Sequence, residues 1–126
     1  MKKRIFISFA MEDVELRNLL VGQAHNDNSQ FDFIDMSVKK PWDSAWKTNC
    51  RTKIKGCQGM IAIITKNSKS ANGQIWEINC AEDEEIPCIG IWGHPDEHFK
   101  KLPEEISSLR VIEWNWSNIA KWLNRI

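Results

Sequence analysis

A glutamate close to the start of a predicted helix is the side chain of this sequence best placed to do chemistry. An apolar run at residues 60–65 (MIAIIT) is followed by a polar loop at 66–73 and by an amphipathic segment from Ile75. This succession is typical of a strand-to-helix crossover in an α/β protein. Glu77 then lies in the first turn of the helix, at the sheet edge where open α/β folds bind ligands. The helix macrodipole also favours a carboxylate in a first turn, and position alone favours this structural interpretation.

Two polar side chains follow the second predicted strand. Residues 31–34 (FDFI) alternate between apolar and polar positions, which is typical of an edge strand, and Asp35 and Ser37 come soon after it. A carboxylate and a hydroxyl are suited to binding sugar hydroxyls, but the same residue types also turn the chain. These residues alone slightly favour the turn.

Five apolar runs alternate with helical segments along the chain. In the first helix, Leu16, Leu19 and Leu20 are expected to form the stripe that faces the core. This alternation indicates a single α/β domain, residues 1–126, with a flavodoxin-like three-layer fold. Right-handed crossovers predict a five-stranded parallel sheet in the order 2-1-3-4-5, with helices on both faces. The predicted strands are residues 4–9, 31–34, 60–65, 87–92 and 109–113. The first predicted helix begins near residue 13, and the other three span residues 44–55, 75–82 and 116–126.

Composition and charge argue against several classes of function. The 17 basic and 17 acidic residues balance, whereas a surface for nucleic acid or for an anionic membrane needs a basic excess. Balanced charge also permits copies of the chain to associate. No apolar run reaches the length of a membrane span, and no signal-peptide core follows the first four residues, so a cytoplasmic location is expected.

Neither the cysteines nor the histidines form a recognised metal site. The four cysteines contain no C-x-x-C pair, so a zinc ribbon or a thioredoxin-type site is not indicated. Cys80 and Cys88 are expected to pack as apolar side chains. Cys50 and Cys57 lie on a polar stretch where a thiol can be reactive, but nothing in the sequence activates them. Residues 93–98 (GHPDEH) hold two histidines and two carboxylates, but the proline argues against a chelating helix. No metal is predicted.

Four short motifs occur in an order that is typical of one protein family. Residues 3–9 (KRIFISF), with Asp13 beyond them, resemble the first box of a TIR domain. The other motifs are FIDMS at 33–37, WEI at 76–78 with the strand CIGI at 88–91, and an ending that runs from LPEE at 102–105 to WNW at 114–116. Together they resemble the TIR-like family of Thoeris antiphage systems, and the resemblance covers essentially the whole chain.

The resemblance implies a TIR-like version of this fold and an enzyme. Active members of the family cleave NAD at the bond between nicotinamide and ribose, and often cyclise the ADP-ribose into a signalling nucleotide that a downstream effector protein reads. Glu77 would be the catalytic glutamate, NAD a substrate rather than a cofactor, and copies would associate through TIR contacts. The family often has a second aromatic residue three positions before the Trp or Tyr of its WEI-type motif, where this chain has Gly73.

Substrate contacts are then expected at the same edge of the sheet. Departure of nicotinamide leaves positive charge on the ribose, and a fixed carboxylate such as that of Glu77 stabilises this charge as it develops. Aromatic rings can stack on adenine or nicotinamide, although each ring is equally well explained as plain core. The residues expected to bind substrate are Ser8, Phe9, Asp35, Ser37, Trp46 and Trp76.

Three other functions are compatible with this class of fold. A non-catalytic TIR-type adaptor would assemble without turnover, which the balanced charge and the seven tryptophans suit. A response-regulator receiver needs a phosphorylatable aspartate after the third strand, where Thr65, Lys66 and Asn67 stand instead, so this function is disfavoured. A nucleoside deoxyribosyltransferase would also use a glutamate, and only substrate tests separate it from an NAD-cleaving enzyme.

Overall fold

A computed structural model describes residues 3–26, 31–35, 44–96 and 102–126 of the chain. The strands are β1 (Lys3–Ser8), β2 (Phe31–Ile34), β3 (Gly59–Ile64), β4 (Cys88–Trp92) and β5 (Val111–Ile112). The helices are α1 (Val14–Asn26), α2 (Ser44–Lys55), α3 (Asn72–Asp83) and α4 (Trp116–Arg125), and short 3₁₀ turns cover Met11–Asp13, Ser68–Ser70 and Glu104–Ile106. All five strands are parallel and lie in the order β2-β1-β3-β4-β5. The predicted fold and strand order are therefore confirmed.

The central strands are apolar because both of their faces are covered. All six residues of β3 are buried, and so are the last four of β1. A strand without a solvent face does not need polar residues at alternate positions. In the register of these two strands, Ile5 lies opposite Gly59 and Ser8 lies opposite Ala62. The carboxyl ends of β1 and β3 therefore lie side by side, at the edge from which the chain leads into α3.

Two separate apolar cores form, one on each face of the sheet. Because successive strand residues point to opposite faces, neighbouring residues of β1 and β3 belong to different cores. The first core joins the strands to α2 and α3 and includes Phe6, Trp46, Cys50, Ile54, Met60, Ala62, Ile64, Ile75 and Ile78. The second core joins them to α1 and α4 and includes Ile5, Ile7, Phe9, Leu20, Ile61, Ile63, Ile89, Ile91, Ile119 and Leu123.

The core stripe of α1 is displaced from the one that the sequence predicts. Leu20 and Ala24 are the buried residues of this helix, and Leu16 and Val21 pack against the same core. Leu16, Leu20 and Ala24 repeat every four residues and therefore lie along one line of the helix, with Val21 to one side of it. Leu19 is turned about 100° from Leu20, and 54% of it is exposed. The prediction that Leu19 faces the core is wrong.

Helix α3 begins earlier than the sequence predicts, which changes the position of Glu77. The helix starts at Asn72 and includes Gly73, which had been placed in the preceding loop. Glu77 consequently lies in the second turn and not in the first. Because the effect of the macrodipole falls off within the first turn, it no longer explains why a carboxylate stands at this position.

The C-terminal helix covers the second core. Asn115 accepts hydrogen bonds from the backbone N–H groups of Ser117 and Asn118 and so caps α4. One face of the helix then buries Ile119 and Leu123. The preceding strand β5 has only two residues, fewer than the five predicted. Within the described ranges, no helix is long and apolar enough to cross a membrane.

Candidate active site

Glu77 is completely buried against the carboxyl end of β1. Neither Glu77 nor Ser8, the last residue of β1, has exposed surface. Ser8 Oγ donates a hydrogen bond of 2.7 Å to Glu77 Oε1. From α2, the thiol of Cys50 donates to Glu77 Oε2 at 3.7 Å. Each carboxylate oxygen therefore faces a neutral donor, and such hydrogen bonds are what makes burial of a polar group tolerable.

A glutamine one turn before Glu77 fixes α3 to the sheet. The buried side chain of Gln74 donates from Nε2 to the backbone carbonyl of Ser8 at 3.2 Å and to that of Ile63 at 2.8 Å. These two bonds join the first turn of α3 to the ends of two neighbouring strands. Gln74 was not predicted as a site residue, and the predicted helix began only after it, at Ile75. The available signal was its spacing of three residues from Glu77, which places both on one helix face.

Two tryptophans and an arginine contact one another on the helices that carry Cys50 and Glu77. Trp46 is one turn before Cys50 on α2, and its ring centroid lies 5.2 Å from that of Trp76 at an interplanar angle of 54°. Trp46 is buried, whereas Trp76, the sequence neighbour of Glu77, is half-buried. The guanidinium of Arg51 lies 5.5 Å from the centre of the Trp76 ring, within the range of a cation–π interaction. Aromatic surface and a cation thus accompany the buried carboxylate.

Two other residues predicted to bind substrate, Asp35 and Phe9, contact other parts of the protein. The carboxylate of Asp35, at the end of β2, accepts a hydrogen bond of 2.6 Å from Arg17 Nε in an ion pair, and only 5% of this carboxylate side chain is exposed. Phe9 is buried in the second core, on the opposite face of the sheet from Trp46. Ser37 lies outside the described residues. Of the predicted site residues, Ser8 contacts Glu77 directly, and Trp46 and Trp76 contact each other on the helices that carry Cys50 and Glu77.

A second buried polar cluster holds the loop that leads from β3 to α3. Asp13 accepts hydrogen bonds from Thr65 Oγ1 at 2.5 Å and from Asn67 Nδ2 at 3.0 Å. The Oγ atom of Ser68 in turn accepts a hydrogen bond of 3.0 Å from the backbone N–H of Thr65. Asp13, Thr65 and Ser68 are all buried. This cluster ties the turn after β1 to the loop after β3 and so fixes the approach to α3.

Three of the four thiols are buried, and that of Cys88 is half-buried. Cys50 and Cys57, which lie on the polar stretch where a thiol can be reactive, are 0% and 5% exposed. Desolvation raises the pKa of the Cys57 thiol, and the nearby charge of Arg4 only partly offsets this. Burial also raises the pKa of Cys80, and it raises that of Cys88 to about 12. A high thiol pKa leaves little thiolate at neutral pH, so these data do not support a reactive thiol.

Two clefts of the described surface are lined by residues other than Glu77. One, about 360 Å³, is lined by Ile78, Cys88 and Leu109 among others, around the amino end of β4. Another, about 260 Å³, lies at the carboxyl ends of β4 and β5 and is lined by Trp92 and Trp114 among others. In the part of the chain that the structure describes, no group of three or more His, Cys, Asp or Glu could hold a metal ion. Residues 97 and 98 of the GHPDEH segment lie outside that part.

Comparison with known proteins agrees with the sequence motifs. The family model for the Thoeris protein ThsB, TIR-like domain, matches residues 6–98. The matched region includes Ser8, Trp46 and Glu77. No curated protein matches the chain.

Three solved structures share the fold at low sequence identity. A conserved protein from Enterococcus faecalis V583 is 16% identical with a TM-score of 0.69, over 100% of both chains. A prokaryotic SEFIR domain is 19% identical with a TM-score of 0.58, over 98% of this chain and 95% of that one. The TIR domains of the activated Roq1 resistosome, which directly recognises the pathogen effector XopQ, are 15% identical with a TM-score of 0.51. This match covers 72% of this chain and 57% of that one. At these identities the likeness establishes the fold alone.

Proposed function

The chain belongs to the TIR-like family of the Thoeris protein ThsB, and from this membership we propose that it cleaves NAD at the bond between nicotinamide and ribose. The observation that supports this most directly is the enclosed carboxylate of Glu77, with a neutral donor at each oxygen. A glutamate side chain is rarely fully buried unless a partner or a function requires it. This one stands at the carboxyl edge of the sheet, where α/β folds bind ligands.

Cleavage of NAD requires a carboxylate that stabilises positive charge on the ribose. When the C–N bond breaks, both electrons leave with nicotinamide, and positive charge spreads over C1 and the ring oxygen of the ribose. A carboxylate held away from water stabilises this charge more strongly than an exposed one. Attack at C1 by water, which loses a proton, gives ADP-ribose. Attack by a nitrogen of the adenine gives a cyclic nucleotide instead, which would carry a defence signal to an effector protein.

Substrate reaches Glu77 only when the neighbouring side chains exchange their contacts. The carboxylate has no exposed surface, so a ribose hydroxyl has to replace a donor that occupies it in the structure. A ribose hydroxyl can replace Ser8 Oγ most directly, because Ser8 Oγ is also a hydroxyl and donates to Glu77 Oε1. Rotation of this small side chain frees the oxygen without breaking a backbone hydrogen bond of β1. The half-buried ring of Trp76 and the Arg51 cation provide surface for a base and a phosphate.

Nicotinamide release from NAD tests the proposal. We expect release by the purified wild-type protein at high concentration and none by Glu77→Gln, which keeps the shape of the side chain but removes its charge. Glu82→Gln is the matched control, because Glu82 is an exposed glutamate on the same helix, and this variant should retain full activity. Equal release by wild type and Glu77→Gln would refute the role of Glu77. Chromatography of the nucleotide product distinguishes ADP-ribose from a cyclic form.

An exposed apolar surface favours a second function, assembly of copies of the chain. Met11, Val14 and Leu19, at the turn before α1 and on α1 itself, are 59%, 47% and 54% exposed. Exposed apolar side chains can contact a partner, and the balanced charge of the chain permits self-association. We propose that copies associate through this surface, and that in a non-catalytic adaptor this association would be the whole function.

Sedimentation velocity at increasing protein concentration tests the assembly. We expect larger species to form with the wild type and fewer with Leu19→Glu. Glu15→Gln, at an exposed position of the same helix, serves as the control. A wild-type protein that stays monomeric at every concentration would contradict self-association. Assembly without any NAD turnover would instead favour the adaptor.

A further inference from the structure

Two buried polar atoms on the helices that carry Cys50 and Glu77 have no hydrogen-bond partner. They are the indole nitrogen Nε1 of Trp46 and the amide oxygen Oε1 of Gln74. Only 4% of Trp46 and 1% of Gln74 are exposed. A third such atom, Glu84 Oε2, is explained by Arg51 Nη1 at 3.6 Å. Because nearly all buried polar groups in proteins are hydrogen-bonded, each unpartnered one requires a specific reason.

The orientation of the Gln74 amide is fixed by its backbone contacts. Nε2 donates to the carbonyl oxygens of Ser8 and Ile63, so both of its hydrogens are used. Rotating the amide by 180° would bring Oε1 against two other acceptors and lose both bonds. Oε1 is therefore held in place as an acceptor that lacks a donor.

The position of the Trp46 indole is fixed by packing. Its ring lies against Trp76, with centroids 5.2 Å apart. One turn further along α2, the thiol of Cys50 contacts Glu77 Oε2. Trp46 thus lies one turn from a side chain that contacts the carboxylate, while Gln74 lies one turn before Glu77 on α3 and bonds to the backbone of Ser8, whose hydroxyl donates to Glu77. One unpartnered donor and one unpartnered acceptor therefore lie on the two helices whose side chains meet at the same carboxylate.

We propose that Trp46 Nε1 and Gln74 Oε1 determine the specificity of this site, as a donor and an acceptor for the ligand that Glu77 acts on. The inference rests on the proposed function. The complementary group is neutral, and it both accepts and donates a hydrogen bond. In NAD this chemistry is present in the carboxamide of nicotinamide and in the ribose hydroxyls. A charged carboxylate would not fit, because it has no hydrogen to donate to Gln74.

Removing the indole N–H without changing the ring provides the sharpest test. Benzothienylalanine, incorporated at position 46, replaces the N–H by sulfur and keeps the bicyclic shape. We expect KM for NAD to rise about tenfold, of the order of one lost hydrogen bond. The unfolding midpoint of the ligand-free protein should stay unchanged or rise, because a buried unpartnered donor is removed. A purely structural role predicts the reverse, namely a lower midpoint and an unchanged KM.

Trp114 provides a matched control for this substitution. Its Nε1 already donates to Gln23 Oε1 at 2.8 Å. The same replacement at position 114 should lower the unfolding midpoint and leave KM unchanged. Trp46→Phe is the second variant of position 46, and it should also raise KM. A KM within twofold of wild type for both position-46 variants would overturn the proposal.

The acceptor is tested through the ligand, because a Gln74 variant would also lose the two bonds that hold α3 to the sheet. The 3-acetylpyridine analogue of NAD keeps the carbonyl of nicotinamide but lacks its N–H₂ group. Weaker binding of this analogue than of NAD to the inactive Glu77→Gln variant would show that Gln74 Oε1 accepts from the carboxamide. Equal binding of NAD and the analogue, together with the KM increase of the Trp46 variants, would indicate that a ribose hydroxyl donates to Gln74 Oε1 instead of the carboxamide.

The two proposals fail in different ways. If the wild type neither binds nor cleaves NAD, the proposed function fails, and the specificity role for NAD fails with it. If the wild type cleaves NAD and the position-46 variants have unchanged KM, only the specificity role fails.

Discussion

The hydrogen bond between Ser8 and Glu77 should contribute measurably to the stability of the protein. Ser8→Ala removes one oxygen from a side chain with no exposed surface and leaves Glu77 Oε1 without its donor at 2.7 Å. A hydrogen bond to a charged group contributes about 1.5–3 kcal/mol, so we expect the free energy of unfolding to fall by about 2 kcal/mol. For a domain of this size, that corresponds to a decrease of about 6–10 °C in the unfolding midpoint.

A double-mutant cycle measures how much of this hydrogen bond's contribution depends on the charge of Glu77. In the Glu77→Gln background, Ser8 still donates to an oxygen, but that oxygen is neutral, and such a bond contributes only about 1 kcal/mol. Ser8→Ala should therefore be less destabilising there, with a coupling energy of about 1 kcal/mol. Urea denaturation of the four proteins measures this difference. Ser117→Ala, at an exposed serine of α4, should change stability by less than about 0.5 kcal/mol.

Two results would refute this reasoning. One is a loss of less than about 0.5 kcal/mol for Ser8→Ala in the wild-type background, the range expected of an ordinary surface substitution. The other is the same loss in both backgrounds, since the charge of Glu77 would then make no difference to the bond.

Three further predictions concern other parts of the site and the core. Glu77→Gln should unfold at the same temperature as wild type or a higher one, because a buried charge is removed; a large decrease, measured by calorimetry, would indicate a structural carboxylate. Asp13→Asn should lower the free energy of unfolding by about 1–3 kcal/mol, because Thr65 and Asn67 donate to different carboxylate oxygens and an amide has only one oxygen; Glu12→Gln, exposed on the same turn, should not. The pKa of Cys88 is raised by burial from 9.0 to about 12, so between these values the folded state keeps a proton that the unfolded state loses. Stability should therefore fall as pH rises above about 9, and Cys88→Ala should flatten this part of the urea-midpoint profile.

Local sequence patterns determined the elements and their order. Residues 60–65 are apolar without interruption because β3 is buried on both faces, and alternation at 31–34 identified β2 as an edge strand. The handedness of crossovers then leaves the order 2-1-3-4-5. Glu77 could be singled out because an acidic residue after a strand and a loop is recognisable in sequence. All of these signals lie within a few residues of one another.

Element boundaries depended on contacts that no local pattern contains. Asn72 and Gly73 have low helix propensity, so the sequence placed them in a loop. In the structure they belong to α3, whose first turn is held to the sheet by the bonds from Gln74 to two strand ends. Leu19 was assigned to the core because it is apolar, but the helix faces the sheet with Leu16, Leu20, Val21 and Ala24, and Leu19 lies on the other side of Leu20 from Val21.

The partners of the candidate catalytic residue were decided by the tertiary structure alone. Ser8 and Glu77 are 69 residues apart in the chain, and Cys50 is 27 residues from Glu77. They meet because the register of β1 against β3 and the packing of α2 against α3 bring three elements to one point. The same packing pairs Asp35 with Arg17 and places Phe9 in the opposite core. Periodicity shows which face of an element is buried, but contacts between distant residues depend on how the elements are arranged in three dimensions.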